Sequence, residues 1–283
     1  MTRQNLNLWH PLATLCGFVL SLFFALFVGA YFLIHGQFIL SFVFSILAGT
    51  RFRALGNLMH ECVHGSLFPN NQSNRFFGFI LSLLLWCPYI NYCHDHFSHH
   101  RYLGDPTKDR DLMRMPLCWW QAPNPIEFWH LIFKFRFLRV WIMNSEWQPF
   151  SKQESNLEKV MRASFVVVFL ASLFNSQLLF HVPAFALFTF LVPYQIHKYI
   201  CDLYDHGGLM HLGSDSDMAS DHPIKSRNHP IKSAQFVGSK AFDGLLNGLF
   251  LPRNDGYHQS HHFKPKQKAS KATKDICFPM DPA

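Results

Sequence analysis

A run of 23 residues without a charged side chain, Leu12 to Ile34, constrains the fold of this chain more than any other feature. A helix rises about 1.5 Å per residue, so the run is long enough to cross a hydrocarbon core of roughly 30 Å. The composition agrees, because 49% of the residues are hydrophobic and only 15% are charged, which is apolar for a soluble protein. We therefore expect an integral membrane protein whose first crossing helix covers residues 12–34.

Three further apolar stretches complete a predicted set of four crossing helices. The second, residues 38–59, follows the first after a three-residue turn, and the third and fourth, 159–175 and 178–199, form a similar close pair. All 25 lysines and arginines lie near the N-terminus, in 51–162 or in 198–274, so neither hairpin tip carries a positive charge. The positive-inside bias then predicts that both termini and the long central segment face the cytoplasm.

Eight of the eighteen histidines fall into three compact groups. The first group has HxxxH spacing, and the other two have HxxHH spacing. On a helix, residues three and four apart share a face, so each group can present two or three imidazoles to one point. Eight imidazoles exceed what a single ion coordinates, so the pattern indicates two metal ions. The groups are His60 and His64; His96, His99 and His100; and His258, His261 and His262.

Two other segments are predicted to lie in the membrane interface without crossing it. Residues 76–92 are apolar, but a straight crossing there would strand the first and second histidine groups on opposite sides, and Pro88 would break such a helix. Residues 119–147 are rich in Trp, Phe and Arg, as interfacial helices are. The predicted fold is one all-α domain over residues 1–283, with two transmembrane hairpins and a cytoplasmic helical cap that holds the metal site.

The three histidine groups, in this order and on these flanking elements, resemble the membrane fatty acid desaturase and hydroxylase superfamily. The resemblance covers residues 50–265, and it implies a non-haem di-iron centre held by all eight histidines of the groups. Members of the family often have a further ligand near the cytoplasmic end of the last span, and His206 of the pair Asp205-His206 matches that position. Asn254 also matches a recurring asparagine, as a ligand or as a hydrogen-bond donor beside one.

Acidic residues near the groups are candidates to hold the imidazole rings. A carboxylate that accepts a hydrogen bond from the nitrogen opposite the metal fixes the ring and raises its basicity. For each of them, a salt bridge with Arg101, Lys108 or Arg110 is an equally good interpretation. The candidates are Asp95, Asp105, Asp109, Asp205 and Asp255.

The resemblance implies O₂-dependent oxidation of an aliphatic lipid. An unactivated methylene has no acidity for a general base to exploit, so a cofactor must supply the oxidising power. Desaturation of a fatty-acyl chain is the leading interpretation, and hydroxylation or ketolation of a fatty acid, an alkane or a carotenoid is the alternative. A cytochrome b5-like module is not recognisable in the sequence. We therefore expect electrons from a separate donor, a ferredoxin or a cytochrome b5-type protein with its reductase, and we expect no nucleic-acid partner.

Two other classes of protein share part of this pattern. His60, Glu61 and His64 match the HExxH signature of zinc proteases, in which the glutamate acts as general base. A metal transporter would place its ligands near the bilayer midplane, whereas the histidines here are expected beyond the span ends. The metal content separates these classes, because a protease predicts a single zinc and a desaturase predicts two irons.

Overall fold

A computed structural model of the chain describes residues 9–102, 105, 107–110, 151–173, 177–198 and 201. Within these residues all the regular structure is helical, as the predicted all-α class requires. Two helices, His10–Ile34 and Phe38–Val63, are each long and apolar enough to cross a membrane, and a strongly bent pair brings the count to three if it is one span. The arrangement of four spans stays a prediction, and the interfacial helix predicted at 119–147 lies outside the described residues.

The first two helices, α1 (Trp9–Ile34) and α2 (Phe38–Val63), form an antiparallel hairpin. The turn between them is tight because Gly36 has a φ of 70°, a left-handed conformation that glycine adopts without strain. Further along the pair, the Ser41 hydroxyl on α2 donates a 3.0 Å hydrogen bond to the Gly29 carbonyl on α1. The helices predicted at 12–34 and 38–59 are therefore confirmed as helices.

The surface of α1 has the two faces expected of a helix between protein and lipid. Its buried residues recur at helical spacing, and large apolar side chains are exposed between them. Exposed apolar side chains are stable where the surroundings are hydrocarbon. The buried set includes Leu22, Ala25, Leu26 and Ala30, and the exposed set includes Leu20, Phe23, Phe24 and Phe27.

The apolar segment at 76–92 contains a sharp bend between two helices. α3 (Asn71–Leu84) and α4 (Tyr89–Arg101) meet at an angle of 105°. In the turn between them Trp86 has a φ of 56°, a conformation that is rare for any residue but glycine. Pro88 precedes α4 as its N-cap, where a proline sacrifices no helical hydrogen bond. The predicted break at Pro88 is confirmed, and it directs α4 back towards the end of α2.

The third apolar stretch corresponds to α5 (Asn156–Ser172), a helix of 17 residues that begins earlier than the predicted 159–175. Its start is defined by a capping box, in which the Ser155 hydroxyl accepts a hydrogen bond from the Glu158 N–H. In return, the Glu158 carboxylate accepts a 2.8 Å hydrogen bond from the Ser155 N–H. These polar residues extend the helix ahead of its apolar part, and the span predicted at 159–175 stays a prediction.

The fourth apolar stretch, predicted as 178–199, corresponds to α6 (Gln177–Thr189) and a π-helical turn at Phe190–Tyr194 that continues it. The π turn packs on α2 at Gly49, where a Cβ atom would lie only 3.1 Å from the carbonyl carbon of Pro193. The absence of a side chain at Gly49 therefore allows close packing of the two backbones.

A buried polar network joins the start of α5 to the bend between α3 and α4. Arg162 on α5 forms a 2.8 Å ion pair with Glu154, and the two side chains are 4% and 2% exposed. The same guanidinium donates a 3.1 Å hydrogen bond to the Ser82 hydroxyl on α3. Ser151, close to Glu154, donates a 2.5 Å hydrogen bond to the Asn91 side chain on α4. The network therefore positions α5 against the bend and against the helix that carries the second histidine group.

Candidate metal centre

The first histidine group lies at the C-terminal end of α2. His60 is in the last turn of the helix, and His64 is its C-cap residue. The two imidazole centroids are 4.7 Å apart, as expected for residues one helical turn apart. The α1–α2 hairpin thus presents both rings together at one end of the helix pair.

The second histidine group lies in the last two turns of α4. His96 and His100 are four residues apart, so their directions around the helix differ by only about 40°. Their Nε2 atoms are 2.9 Å apart. The bend before α4 brings this pair against the first group, and the Nε2 atoms of His64 and His96 are 2.7 Å apart. His96 is buried, with 4% of its surface exposed.

Four histidines from the two groups form one compact cluster. The coordinating nitrogens of His60, His64, His96 and His100 all lie within 4.8 Å of one another. His96 Nε2 lies at hydrogen-bond distance from both His64 Nε2 and His100 Nε2. A single proton on His96 Nε2 could form a hydrogen bond with only one of these two nitrogens. Imidazole is a good ligand for iron, zinc, copper and nickel. The donor set therefore fits a transition-metal ion.

His99 lies beside this cluster but outside it. Residues at positions i+3 and i+4 differ by about 100° in direction, so His99 and His100 leave α4 on different sides. The His99 ring centroid is 6.3 Å from that of His96 and 6.0 Å from that of His100. Its Nδ1 lies 2.9 and 3.0 Å from the two carboxylate oxygens of Asp109. The ligand role predicted for His99 stays a prediction.

The sequence left two roles open for the acidic residues near α4: a hydrogen bond to an imidazole ring, or a salt bridge with a basic residue. Asp109 contacts a histidine, as expected of a residue that orients an imidazole ring. Asp95 instead lies 3.4 Å from the Arg110 guanidinium, and Asp105 lies 4.0 Å from the Lys108 ammonium. The salt-bridge interpretation therefore holds for these two.

The remaining predicted site residues lie outside the described part of the chain. They comprise the whole third histidine group, the additional family ligand and the candidates near them: His206, His258, His261, His262, Asn254, Asp205 and Asp255.

Tyr92 contacts the cluster but was missed by the sequence analysis. Its ring stacks on that of His96, with the centroids 5.7 Å apart and the planes within 5° of parallel. Tyr92 precedes His96 by one helical turn, so the spacing of four residues was the available signal. The stack orients the ring of His96, whose Nε2 lies close to the Nε2 atoms of His64 and His100.

Comparison with known proteins agrees with this geometry. The sequence profile described as fatty acid desaturase matches residues 37–272, a range that contains all three histidine groups. The chain belongs to the fatty acid desaturase family. In this chain, the convergence of α2 and α4 brings together histidines that are far apart in the sequence. No solved structure matches this family member.

Curated relatives of this fatty acid desaturase family member match only part of it. A sphingolipid delta(4)-desaturase of Xenopus tropicalis is 27% identical over 213 residues, which cover 73% of the chain and 55% of the relative. That of Gallus gallus is 28% identical over 216 residues, with the same two coverages of 73% and 55%. An endoplasmic reticulum omega-3 fatty acid desaturase of Vigna radiata is 41% identical over 61 residues, 22% of the chain and 16% of the relative. The chain spans about half the length of the first two.

Proposed function

We propose that this protein introduces a double bond into an aliphatic lipid chain, with two non-haem irons as its cofactor and O₂ as the oxidant. The observation that best supports the proposal is the convergence of the α2 and α4 histidines into one largely buried cluster, at the end of a helix apolar enough to cross a membrane. Family membership supports the reaction type. The relatives named as sphingolipid and omega-3 fatty acid desaturases favour a long acyl or sphingoid chain as the substrate.

We assign the ligands of the two irons to the three histidine groups and the additional family position. Four of these residues form the described cluster, and the remaining ones follow from the family pattern. A zinc protease uses three protein ligands and keeps its fourth position open for water, whereas four imidazoles from α2 and α4 converge here. The proposed ligands are His60, His64, His96, His99, His100, His206, His258, His261 and His262.

The residues of the chain hold, orient and shield this centre. Two irons, when bound, supply the oxidising power that removal of hydrogen from an unactivated methylene requires. Burial of His64 and His96 limits access of bulk water to the reacting carbon. The two hydrogens removed from the substrate supply two electrons and two protons, and two electrons from the donor with two protons from solvent complete the reduction of O₂ to two molecules of water.

The proposal includes a topology and an electron donor. Four crossing helices with both termini inside would place the metal centre on the cytoplasmic side, where soluble reductants are available. The donor is a ferredoxin or a cytochrome b5-type protein with its reductase. The formal net charge of +7 favours an acidic partner, because opposite charge speeds association.

Lipid analysis of a host that expresses the chain with a ferredoxin and its reductase tests the proposed reaction. We expect new double bonds in acyl or sphingoid chains by mass spectrometry, formed only in the presence of O₂. A His100→Ala variant with the same membrane abundance should form none, because it lacks one nitrogen of the cluster. A hydroxylated lipid in place of the alkene would show that the protein is a hydroxylase. The absence of any oxidised lipid would contradict the proposal.

A further inference from the structure

We propose that Asp109 is a positioning residue that orients His99 as a metal ligand through Nε2. The inference rests on the proposed function, because it takes the histidines to bind metal. It identifies a role for a residue that lies in none of the three histidine groups and ten positions beyond His99 in the sequence.

The contact between the two side chains defines which nitrogen is available to a metal. Both carboxylate oxygens of Asp109 lie within 3.0 Å of His99 Nδ1, so Nδ1 donates the hydrogen bond. A neutral imidazole with its proton on Nδ1 presents the lone pair of Nε2 on the opposite edge of the ring. A carboxylate in this place also raises the basicity of the coordinating nitrogen. Asp109 therefore selects the tautomer and fixes the direction of His99.

Burial makes this contact costly unless a positive charge is close. Asp109 is 0% exposed and His99 is 1% exposed, so water does not solvate the carboxylate. A buried anion is stable only when it is paired and hydrogen-bonded. A metal cation on Nε2 would polarise the Nδ1–H bond and compensate the charge of Asp109 through the ring.

The segment that carries Asp109 is attached to α4 on both sides of the histidine contact. The Ser98 hydroxyl donates a 2.7 Å hydrogen bond to the Lys108 carbonyl. On the other side, Arg110 pairs with Asp95. Three consecutive residues, 108–110, are thus held against α4, and the middle one contacts the predicted ligand.

The turn before Asp109 is shaped by its own polar contacts. Asp105 accepts hydrogen bonds from the hydroxyl and the N–H of Thr107, at 2.7 and 2.8 Å. The hydroxyl bond is the main reason that the pKa of the Asp105 carboxyl lies below its ordinary value. The Asp109 N–H then donates a 2.9 Å hydrogen bond to the Asp105 carbonyl. The backbone that presents Asp109 is therefore defined independently of the histidine.

A double-mutant cycle of iron affinity tests the proposal. The affinity of the purified chain for Fe(II) is measured by competition with a chelator for the wild type, Asp109→Ala, His99→Ala and the double variant. We expect Asp109→Ala to weaken iron binding by about 10–100-fold, as loss of a carboxylate behind a ligand histidine does. If Asp109 acts through His99, the double variant should bind iron no more weakly than His99→Ala alone.

Two further variants separate positioning from a general effect on folding. Asp109→Asn keeps an oxygen that accepts the Nδ1 hydrogen bond, so it should retain most of the affinity and shift the Mössbauer parameters of the bound iron. Glu158→Gln removes the charge of a carboxylate at the start of α5, which pairs with Arg75, and should leave those parameters unchanged.

Three outcomes would overturn the inference: wild-type affinity in Asp109→Ala, additive losses in the double variant, or an unchanged spectrum in Asp109→Asn. If the wild-type chain itself binds no iron, the proposed function fails as well. If the wild type binds iron and Asp109→Ala binds it equally well, only the positioning role fails.

Discussion

At the scale of single residues, the site depends most on His96, whose Nε2 contacts both His64 and His100. Its replacement by alanine removes the central nitrogen of the cluster and the ring on which Tyr92 stacks. We expect His96→Ala to weaken iron binding by more than about 100-fold. Removal of a residue that only hydrogen-bonds to a metal ligand already weakens metal binding by about 10–100-fold, and His96 is a proposed ligand itself. Membrane insertion should be unaffected, since the apolar helices are unchanged.

His94→Ala is the matched control for this prediction. His94 lies on the same helix two residues away, so its side chain leaves the helix on a different side. Iron content and lipid products should be close to those of the wild type. Equal losses in both variants would mean that α4 had lost its structure, and full activity in His96→Ala would refute the ligand assignment.

The residues of the site were predictable only in part, for a physical reason. The pairs His60–His64 and His96–His100 are one helical turn apart, and this local geometry follows from the sequence. The partner of His99 does not follow from the sequence, because Asp95, Asp105 and Asp109 are all close to it along the chain. Only the three-dimensional structure shows that Asp109 is the one that contacts His99. Arg162 shows the same limit, since a lone arginine before an apolar run resembles an interfacial charge. Its burial depends on Glu154 and Ser82, which fold around it.

At the scale of the elements, the buried ion pair between Arg162 and Glu154 holds the start of α5 against the bend that precedes α4. Arg162→Ala should reduce the free energy of unfolding by about 3–5 kcal/mol, because it leaves a buried carboxylate without its cation. The double variant with Glu154→Ala should be no less stable than Arg162→Ala. Denaturant unfolding in detergent micelles measures both changes.

Arg75→Ala is the control for this ion pair. Arg75 pairs with Glu158 at 3.7 Å, and its side chain is 56% exposed. An exposed pair of this kind contributes about 0–1 kcal/mol. A loss in Arg162→Ala as small as that in Arg75→Ala would show that the buried network does not hold the bend.

The packing of the π turn on α2 gives a second prediction at this scale. Gly49→Val should lower the free energy of unfolding by about 1–3 kcal/mol, because the added atoms meet the backbone of Pro193 and not a movable side chain. Gly17→Val is the control, since a Cβ atom there would meet nothing within 4 Å. Equal stability of the two variants would contradict close packing at Gly49.

The elements themselves were largely predictable, and the exceptions are instructive. The uninterrupted apolar length predicted α1 and α2, and the proline predicted the break at Pro88. Both are local signals in the sequence. The start of α5 lies ahead of the apolar stretch, because it depends on the polar pair Ser155 and Glu158. The π turn was also not predicted, although Pro193 within it is a local signal of an interrupted helix.

At the scale of the whole molecule, the account requires that the hairpin tip and the histidine clusters face opposite sides of the membrane. A fluorescent reporter that folds only in the cytoplasm should be dark when inserted at Gln37 and bright when inserted after Arg110. In the proposed topology, α2 crosses the membrane once between these sites and the bent α3–α4 pair does not cross it. Equal fluorescence at both sites would exclude this topology.

The metal content of the purified chain tests the central claim most directly, because that claim is the convergence of three distant histidine groups on two irons. Elemental analysis of protein from iron-replete cells should give about two irons per chain with little zinc, as expected for eight or more imidazole ligands. His100→Ala and His261→Ala, from the second and third groups, should each lower the iron content. One zinc per chain, or wild-type iron in His261→Ala, would contradict the account.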